Sequence, residues 1–469
     1  MSRYLFAVVL TLWCGTLAQA EFRAGAFAMN VNPPKYPIST NGNMRDSLAK
    51  GAHDPLHARC LVFDDGKTKI ALVVVDSCMI PRELMDAAKV LTQKATGIPT
   101  NRILISATHC HTAPTVTGVF QSEPDPEYVA YLTQKIADGI EAAVKNLEPA
   151  EVAFTVGKEP NQLFNRRWKM KAGSIPMNPF GGTNDLVQMN PGYQNPGLVE
   201  PAGPIDPEVS VISVRSKKGR PIALFANYSL HYVGGVSPLS ADYFGAFADR
   251  VMQLLDATQV EPKFVGVMSN GTSGDVNNVR FAGPPPPASQ PFDRIRIVAD
   301  AVARVAVDSL KDAKYSDQLT LNMAEREIEL GVRLPSDDDL KYARKLLEMA
   351  KGPPYDKMPE IYARESLLLA KYPKTVKVKL QAIRIGEQGI CAIPCEVFTE
   401  IGLSLKKQSP LKPTFTISLA NGYNGYLPTP EQHKLGGYET WRARSSYVEV
   451  DASPKVETVL LELLKEVAK

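Results

Sequence analysis

The sequence predicts an α/β fold in which helices pack in layers against β-sheet. Continuous apolar runs such as residues 69–77 (KIALVVVDS) are typical of fully buried strands. Helical patterns alternate with these runs, and the order strand, helix, strand, helix indicates an α/β arrangement. The chain has 469 residues, 44% of them hydrophobic and 22% charged, which is enough to bury a large core.

The first elements follow from this pattern. Residues 32–52 are rich in Pro, Gly, Ser and Asn and lack periodicity, as expected of a lid or of the rim of a site. A later helix begins at Asp125, a favourable N-cap, with Pro126 in its first turn. The predicted strands in this part are 22–31, 57–63, 69–77 and 102–106, and the predicted helices are 81–95 and 125–146.

The remaining elements continue the same alternation. Residues 171–206 are rich in Gly, Pro and Asn and predict a long irregular loop. A further helix is predicted to start at residues 394–396. The other predicted strands are 208–215, 222–229, 264–269, 319–330, 376–385, 389–393 and 414–420, and the other helices are 293–310, 336–349, 360–370 and 455–467.

The first twenty residues predict a secretory signal peptide. Arg3 precedes an apolar run from Tyr4 to Cys14, and Ala18-Gln-Ala20 forms an A-x-A cleavage site before Glu21. The run is shorter than the roughly twenty apolar residues that a transmembrane anchor needs. We therefore expect an exported protein, periplasmic or secreted, that consists of residues 21–469.

The charge of the chain gives no indication of nucleic-acid binding, and its cysteine count limits the disulfides that it can form. Lys plus Arg number 53 and Asp plus Glu number 50, and no basic run with interleaved aromatic residues suggests a nucleic-acid partner. An odd number of cysteines follows the predicted cleavage site, so at least one is unpaired or pairs between chains. Buried thiols are the expected state of these residues, Cys60, Cys78, Cys110, Cys391 and Cys395.

Two of the six histidines, His109 and His111, follow the strand at 102–106. If the backbone stays extended there, both imidazoles leave the same face. The pair is either a hydrogen-bonded pair in a loop or two nitrogen donors to a metal. Zinc requires about four donors from His, Cys, Asp or Glu, so further ligands must come from elsewhere in the chain.

Other strand ends also release polar residues, at 229–232, 270–278 and 421–426. Ligands gather at strand ends in layered sheet proteins, so these segments can converge. Each candidate also has a structural interpretation. His231 can be a satisfied core histidine, Glu396 can stabilise a helix N-terminus, and Arg166 can be a surface charge. Tyr426 and Tyr438 can simply be packing residues.

Five segments, in this order along the chain, resemble the neutral/alkaline non-lysosomal ceramidases. The resemblance extends from about residue 22 to about residue 450. The segments are Gly51-Ala-His-Asp-Pro-Leu-His-Ala-Arg59, Ile105-Ser-Ala-Thr-His-Cys-His-Thr-Ala-Pro114, Phe225-Ala-Asn-Tyr-Ser-Leu-His231, Ile393-Pro-Cys-Glu396 and Asn421-Gly-Tyr-Asn-Gly-Tyr-Leu-Pro-Thr429.

The resemblance implies a single zinc ion per chain and a set of catalytic residues. The implied zinc ligands are His109, His231, Glu396 and Tyr426. Zinc held in this way activates water for attack on an amide carbonyl. The implied catalytic residues are His111 and Tyr438, which stabilise the oxyanion or carry the proton to the leaving amine, and Arg166, which orients a polar substrate group.

The chain departs from the ceramidase pattern in two places. The segment Gly274-Asp-Val-Asn-Asn-Val279 has Asn277 where the family has serine, which excludes a covalent serine route at that position. We assign Asp275 and Asn277 to substrate binding. The chain also stops soon after the matching region, so we expect no C-terminal immunoglobulin-like domain. The family then implies one large layered domain with β-sheets sandwiched between helices.

The function expected from the resemblance is an exported zinc amidase that cleaves the N-acyl bond of ceramide or a related lipid, with peripheral membrane contact. The replacement at Asn277 favours an alternative, a zinc hydrolase of another amide or ester such as an N-acyl sugar or amino acid. A non-catalytic binding homologue is a third hypothesis. Retention of all the implied ligands, His111 and Tyr438 argues against it.

Overall fold

The protein, described here by a computed structural model for residues 21–235 and 237–469, contains six β-sheets within those residues. The strands are β1 Arg23–Asn30, β2 Ile38–Thr40, β3 Ser47–Ala49, β4 His57–Asp64, β5 Lys69–Val75, β6 Ile103–Ala107, β7 Glu148–Lys158, β8 Phe164–Asn165, β9 Arg167–Met170, β10 Val187–Met189, β11 Leu198–Pro201, β12 Glu208–Ser216, β13 Pro221–Tyr228, β14 Val265–Asn270, β15 Val276–Asn277, β16 Leu321–Gly331, β17 Thr375–Ile385, β18 Gln388–Ala392, β19 Glu396–Val397, β20 Thr414–Ile417 and β21 Tyr426–Leu427.

Helices cover the outer faces of the two larger sheets. They are α1 Arg82–Thr96, α2 Pro126–Lys145, α3 Asp242–Leu254, α4 Asp293–Asp308, α5 Asp337–Glu348, α6 Met358–Leu369, α7 Thr399–Gln408, α8 Pro430–Leu435 and α9 Ala452–Ala468. None of the helices in the described ranges is both long and apolar enough to cross a membrane. The predicted signal peptide, residues 1–20, lies outside the described residues.

The largest sheet has eight strands in the order β14-β13-β12-β7-β1-β4-β5-β6. Its two edge pairs, β13 with β14 and β5 with β6, are parallel, and the pairs between them are antiparallel. A second sheet has the order β16-β17-β18-β20, and in it β18 and β20 are parallel. Parallel neighbours end at the same edge of a sheet, so the polar residues that follow the two strands of each parallel pair lie close together.

The two larger sheets stack face to face between helical layers. Alternate residues of β5 show the arrangement, because successive strand residues point to opposite faces. Val73 belongs to the core shared with α1, α2, α3 and α4, whereas Leu72 and Val74 pack against the second sheet. The far face of the second sheet packs on α7 and α9. The predicted α/β fold, with sheets sandwiched between helices, is confirmed.

Most predicted elements lie within a few residues of the observed ones, but the structure also contains elements that the sequence analysis did not predict, among them the short strands β2, β3, β8, β9, β15 and β21 and the short helix α8. The sequence did not predict α3 or β7, and β7 was missed because most of its residues are only partly buried and form no continuous apolar run. The predicted irregular region 171–206 contains β10 and β11. The helix predicted to begin at 394–396 begins only at Thr399, after the two-residue strand β19.

The ends of strands from both large sheets meet at one edge of the sandwich. The backbone N–H of Asn421, after β20, donates to the carbonyl of Ile105 in β6 over 2.8 Å. The N–H of Ser418 donates to the carbonyl of Asn270 at the end of β14 over 3.0 Å. These bonds bring together the segments in which the sequence places its candidate site.

Candidate metal centre

His109 enters the site through a turn of the backbone rather than as the continuation of a strand. Strand β6 ends at Ala107, and His109 has a φ of 73°, in the left-handed region. The backbone is therefore not extended here, and the condition under which both imidazoles would leave one face of a strand is not met. The two imidazoles nevertheless meet, with 3.2 Å between the Nε2 atoms of His109 and His111. The left-handed residue turns the chain so that both rings enter one buried space.

The tautomers of the two proposed histidine ligands are set by backbone carbonyls. Nδ1 of His109 lies 2.8 Å from the carbonyl of Cys78, and Nδ1 of His231 lies 3.1 Å from the carbonyl of Ser273. A carbonyl only accepts, so each Nδ1 carries the proton and each Nε2 keeps a lone pair. A hydrogen bond from Nδ1 to a backbone carbonyl is typical of histidines that bind a metal through Nε2.

Glu396 reaches the same place from the second half of the chain. Its Oε1 accepts a hydrogen bond from the Tyr423 hydroxyl at 3.2 Å, and its Oε2 lies 3.2 Å from Nε2 of His109. Among residues 21–235 and 237–469, this buried Oε2 has no hydrogen-bond donor. Burial alone would raise the pKa of Glu396, but its interactions with the neighbouring His109 and with the positive charge of Arg166 lower the pKa below its usual value.

Tyr426 is placed beside Glu396 by strand pairing. Strands β19 and β21 are parallel, and Glu396 and Tyr426 are direct partners in the register. The Tyr426 hydroxyl accepts a hydrogen bond of 3.1 Å from Nη2 of Arg166. The Tyr426 oxygen therefore already accepts a hydrogen bond from Arg166.

These groups fit a cation. The atoms of His109, His231 and Glu396 that can bind a metal all lie within 4.8 Å of one another. A buried carboxylate oxygen without a donor, next to the lone pair of His109, is costly unless a cation lies between them. The lone pair of His231 already faces Nη1 of Arg166 at 3.3 Å, and a metal would have to share or replace this contact. Zinc prefers such nitrogen and oxygen donors in a tetrahedral set, which Tyr426 would complete.

A second group of potential donors, formed by Cys78, His109 and His111, overlaps the first. The Cys78 sulfur lies 3.7 Å from Nδ1 of His109, the atom already bound to a carbonyl. Burial raises the pKa of the Cys78 thiol well above its usual value, so the thiol stays protonated. The sulfur lies on the Nδ1 side of the His109 ring, where the Cys78 carbonyl already engages Nδ1, so the set with Glu396, which uses Nε2, fits a metal better.

Arg166 is a buried residue and not a surface charge, since its exposed fraction is 4%. Its Nη1 lies 3.3 Å from Nε2 of His231, and its Nη2 also donates to the carbonyl of Gly274 at 2.9 Å. Its Nε donates to Glu439 at 3.0 Å. The guanidinium is thus held in a fixed orientation against two of the proposed ligands.

Glu439 is a residue of the site that the sequence did not suggest. Its carboxylate is fully buried and bridges two arginines, Arg166 at 3.0 Å and Arg167 at 2.6 Å. The signal for it was the pair of adjacent arginines after Asn165, because two buried guanidinium groups require a buried acid.

His111 and Tyr438 line a small cavity that three of the four proposed ligands share, whereas His231 does not line it. The cavity has a volume of about 20 Å³, enough for one ion or water molecule, and His109, Glu396 and Tyr426 also line it. The His111 ring stacks on Tyr232 at 3.7 Å. Burial and positively charged neighbours hold the pKa of His111 well below its usual value, so it is neutral. Burial raises the pKa of Tyr438, which therefore keeps its proton.

Asp275 and Asn277, predicted to bind substrate, lie beside this cluster with their polar atoms engaged. The Asp275 carboxylate accepts from Thr399 N at 2.9 Å and from Asn165 Nδ2 at 2.8 Å. Asn277 donates to Asn190 at 2.9 Å. Asp275 thus orients the residue before Arg166, and substrate binding by this pair stays a prediction.

Comparison with solved structures identifies the same fold in known enzymes. The neutral ceramidase of Pseudomonas aeruginosa superposes with a TM-score of 0.69 at 15% identity, over 95% of this chain and 74% of the other. A ceramidase complexed with C2 gives a TM-score of 0.68 at 16% identity, over 95% and 75% of the two chains. No protein-family model and no curated protein matches this sequence. The ceramidase resemblance is therefore confirmed at the level of the fold, which this chain shares with neutral ceramidases.

Proposed function

We propose that this chain is a zinc-dependent amide hydrolase that cleaves the N-acyl bond of ceramide or a related N-acyl lipid. The observation that carries the proposal is the buried set of lone pairs on His109, His231 and Glu396, next to the Tyr426 hydroxyl. The fold shared with neutral ceramidases supports the reaction class.

In this proposal His109, His231, Glu396 and Tyr426 hold the zinc ion. Zinc, when bound, polarises a carbonyl and activates water for hydrolysis. Arg166 supports the site because its positive charge lies against the oxygen of Tyr426 and favours electron density there. The same guanidinium limits the positions that the His231 ring can adopt.

In this proposal His111 transfers protons, and Tyr438 stabilises the negative charge that develops on the substrate. His111 is neutral near pH 7, and a neutral imidazole can take the proton of the attacking water and return it to the leaving amine. Tyr438 keeps its proton, so its hydroxyl can donate to the oxyanion that develops on the carbonyl oxygen.

An apolar pocket next to Tyr438 suits an acyl chain. It has a volume of about 260 Å³, and Tyr438 lines both this pocket and the metal cavity. Its other walls are mostly apolar and include Met44, Ile175, Met177 and Trp441. Burial of methylene groups contributes about 0.8 kcal/mol each, so such a pocket favours a lipid substrate over a small polar amide.

Asn277 supports a second candidate, hydrolysis of a different N-acyl amide or ester. It replaces the serine of the ceramidase segment, and its side chain is hydrogen-bonded to Asn190.

Export is part of the proposal because residues 1–20 have the pattern of a signal peptide. The lipid substrate would then be taken up through peripheral contact with a membrane or micelle.

Fatty-acid release from an N-acylsphingosine in detergent tests the proposal. We expect release by the zinc-loaded wild type, loss in His109→Ala, and no change in His53→Ala, a control histidine that stacks on Phe292 away from the cavity. Absence of release from N-acylsphingosine with release from another N-acyl compound would favour the second candidate. Release that survives His109→Ala would contradict the proposed metal centre.

A further inference from the structure

A second cleft, with a volume of about 760 Å³, is lined by residues close in sequence to Arg166 and His231 and shares no lining residue with the apolar pocket. Its lining includes Arg280, Arg294, Asn161, Asn278 and Tyr193, and none of its lining residues is acidic. The cleft therefore presents two positive charges and several hydrogen-bonding groups to solvent. The mechanism proposed above does not use any of these residues.

The walls of this cleft continue the segments that build the metal centre. Phe164 lines the cleft and lies two residues before Arg166, and Val233 lines it two residues after His231. Strands β8 and β15 pair Asn277 with Phe164, which places Asn278 at the same wall. The apolar pocket reaches the centre at Tyr438, whereas this cleft approaches it from the side of His231 and Arg166.

The two arginines of the cleft are available for an anion. Arg294 donates one hydrogen bond, to Gln162 at 2.9 Å. Over residues 21–235 and 237–469, the Arg280 side chain has no hydrogen-bond partner, and neither guanidinium has a carboxylate within 4.0 Å. Arginine binds carboxylate and phosphate groups in a planar, two-pronged geometry, so an arginine pair without acids in a cleft is typical of anion recognition.

The loops that carry Arg280 and Tyr193 are fixed to each other. Asn277 donates to Asn190, and the N–H of Gln194 donates to the carbonyl of Phe281 at 2.7 Å. The Tyr193 and Phe281 rings also lie 6.0 Å apart. The cleft is thus preformed, and a ligand does not have to order the loops when it binds.

We propose that this cleft binds an anionic group, a carboxylate or a phosphate, on the amine half of the N-acyl substrate. The inference rests on the proposed function, because the apolar pocket then takes the acyl chain and the amide lies between the two. The preferred substrates are N-acyl compounds whose amine half carries a negative charge, such as N-acyl amino acids or phosphorylated N-acyl amino alcohols. Neutral N-acyl amines lack the group that the arginines recognise.

Equilibrium binding tests the cleft separately from hydrolysis. Calorimetry on the full His109→Ala chain, which does not turn over, would compare N-lauroylglycine, N-lauroyl-phosphoethanolamine and the neutral N-lauroylethanolamine. A charge-assisted hydrogen bond corresponds to about tenfold or more in affinity, so at least one anionic compound should bind about tenfold more tightly than the neutral one. The stronger of the two anions identifies the natural group.

Two variants test whether the preference for anionic compounds depends on the arginines of the cleft. Arg280→Gln and Arg294→Gln should each reduce the preference for the anion to about threefold or less, whereas affinity for the neutral compound stays the same. Arg304→Gln, on the exposed face of α4 and paired with Asp300, is the matched control and should change neither. Arg280 is exposed, so its replacement leaves the packing of the chain intact.

Equal affinity for anionic and neutral compounds, or a preference that survives both variants, would overturn the inference. Either result would leave the zinc amidase proposal standing. Conversely, an anion preference that depends on the arginines, in a wild type that hydrolyses neither these three compounds nor an N-acylsphingosine, would uphold the cleft as an anion site and contradict the proposed reaction.

Discussion

Glu396 and Tyr426 are direct partners in the parallel pairing of β19 and β21, so a carboxylate and a phenol from separate parts of the chain lie side by side. Backbone hydrogen bonds of Glu396 N to Gly425 O (2.9 Å) and of Tyr426 N to Ser445 O (2.8 Å) hold the two strands in place. Because backbone pairing sets their positions, both side chains are oriented before any ligand binds. Such preorganisation is what a metal centre requires.

Substitution of Gly42 should impair catalysis without removing the metal. Gly42 has a φ of 106°, and a Cβ at this position would lie 2.4 Å from Cγ of His111. We expect Gly42→Ala to displace the His111 ring, and a shift of about 1 Å can cost roughly 100-fold in rate. The measurement is kcat together with zinc content. Gly51→Ala is the control, since a Cβ there meets nothing within 4 Å. Unchanged kcat in Gly42→Ala would rule out a role for His111.

Removal of the Tyr438 hydroxyl should lower kcat and leave zinc binding unchanged. Tyr438 lines the cavity but is not among the proposed ligands, and loss of one oxyanion donor typically costs about 10²–10³ in kcat. We expect this loss in Tyr438→Phe, measured by fatty-acid release with zinc quantified in the same sample. Tyr342→Phe, at an exposed position of α5, should behave as wild type. Loss of zinc in Tyr438→Phe would show that this tyrosine is a ligand instead.

Neutralisation of Glu439 should destabilise the protein and disturb Arg166. The fully buried carboxylate bridges Arg166 and Arg167, and breaking a buried ion pair costs about 3–5 kcal/mol because a charge is left unpaired. We expect Glu439→Gln to lower the free energy of unfolding by this order, measured by urea denaturation. Glu200→Gln, in an exposed pair with Lys169, should leave it nearly unchanged because solvent screens such a pair. Equal effects of the two variants would contradict the assignment.

Much of this centre could be predicted from the sequence because its ligands follow buried strands that are visible as apolar runs. His231 after β13 is the clearest example. The backbone turn at His109 and the strand pairing of Glu396 could not be predicted, since both depend on contacts between distant segments. Glu439 was missed for the same reason, because its partners Arg166 and Arg167 belong to another part of the chain.

The fold shows the same limit. The alternation of elements predicts helical layers against sheet, but only the structure shows that Leu72 and Val74 pack on a second sheet whereas Val73 packs on helices. A strand buried on both faces has the same apolar pattern whether a sheet or a helix covers it. Helix α3 was missed although Phe244, Phe247 and Val251 are spaced for one buried face.

Buried Lys89 should make the stability of the protein depend on alkaline pH. Its Nζ donates to Asn421 at 2.6 Å, and burial lowers its pKa from 10.5 to about 8. Because the folded pKa is below the unfolded one, the unfolded state binds more protons between pH 8 and 10.5, and this group's contribution to stability rises with pH in that window. The gain is on the order of 3 kcal/mol over the window.

Urea denaturation of wild type and Lys89→Met between pH 7.5 and 10.5 measures this contribution. The methionine removes the titrating group but keeps most of the apolar volume, so other groups that titrate in the same range cancel in the comparison. We expect the difference in unfolding free energy between the two proteins to shift in favour of the wild type as the pH rises. A difference that is independent of pH would show that Lys89 titrates at its ordinary pKa.

X-ray absorption at the zinc edge tests the proposed metal centre most directly, in wild type and in Glu396→Gln after zinc loading and removal of excess metal. We predict one zinc per chain in the wild type, with about four nitrogen or oxygen ligands near 2.0–2.2 Å, and a much lower zinc content in Glu396→Gln. A sulfur ligand near 2.3 Å would assign the metal to Cys78, His109 and His111 instead. Full zinc content in Glu396→Gln, or no zinc in the wild type, would contradict the centre formed by His109, His231, Glu396 and Tyr426.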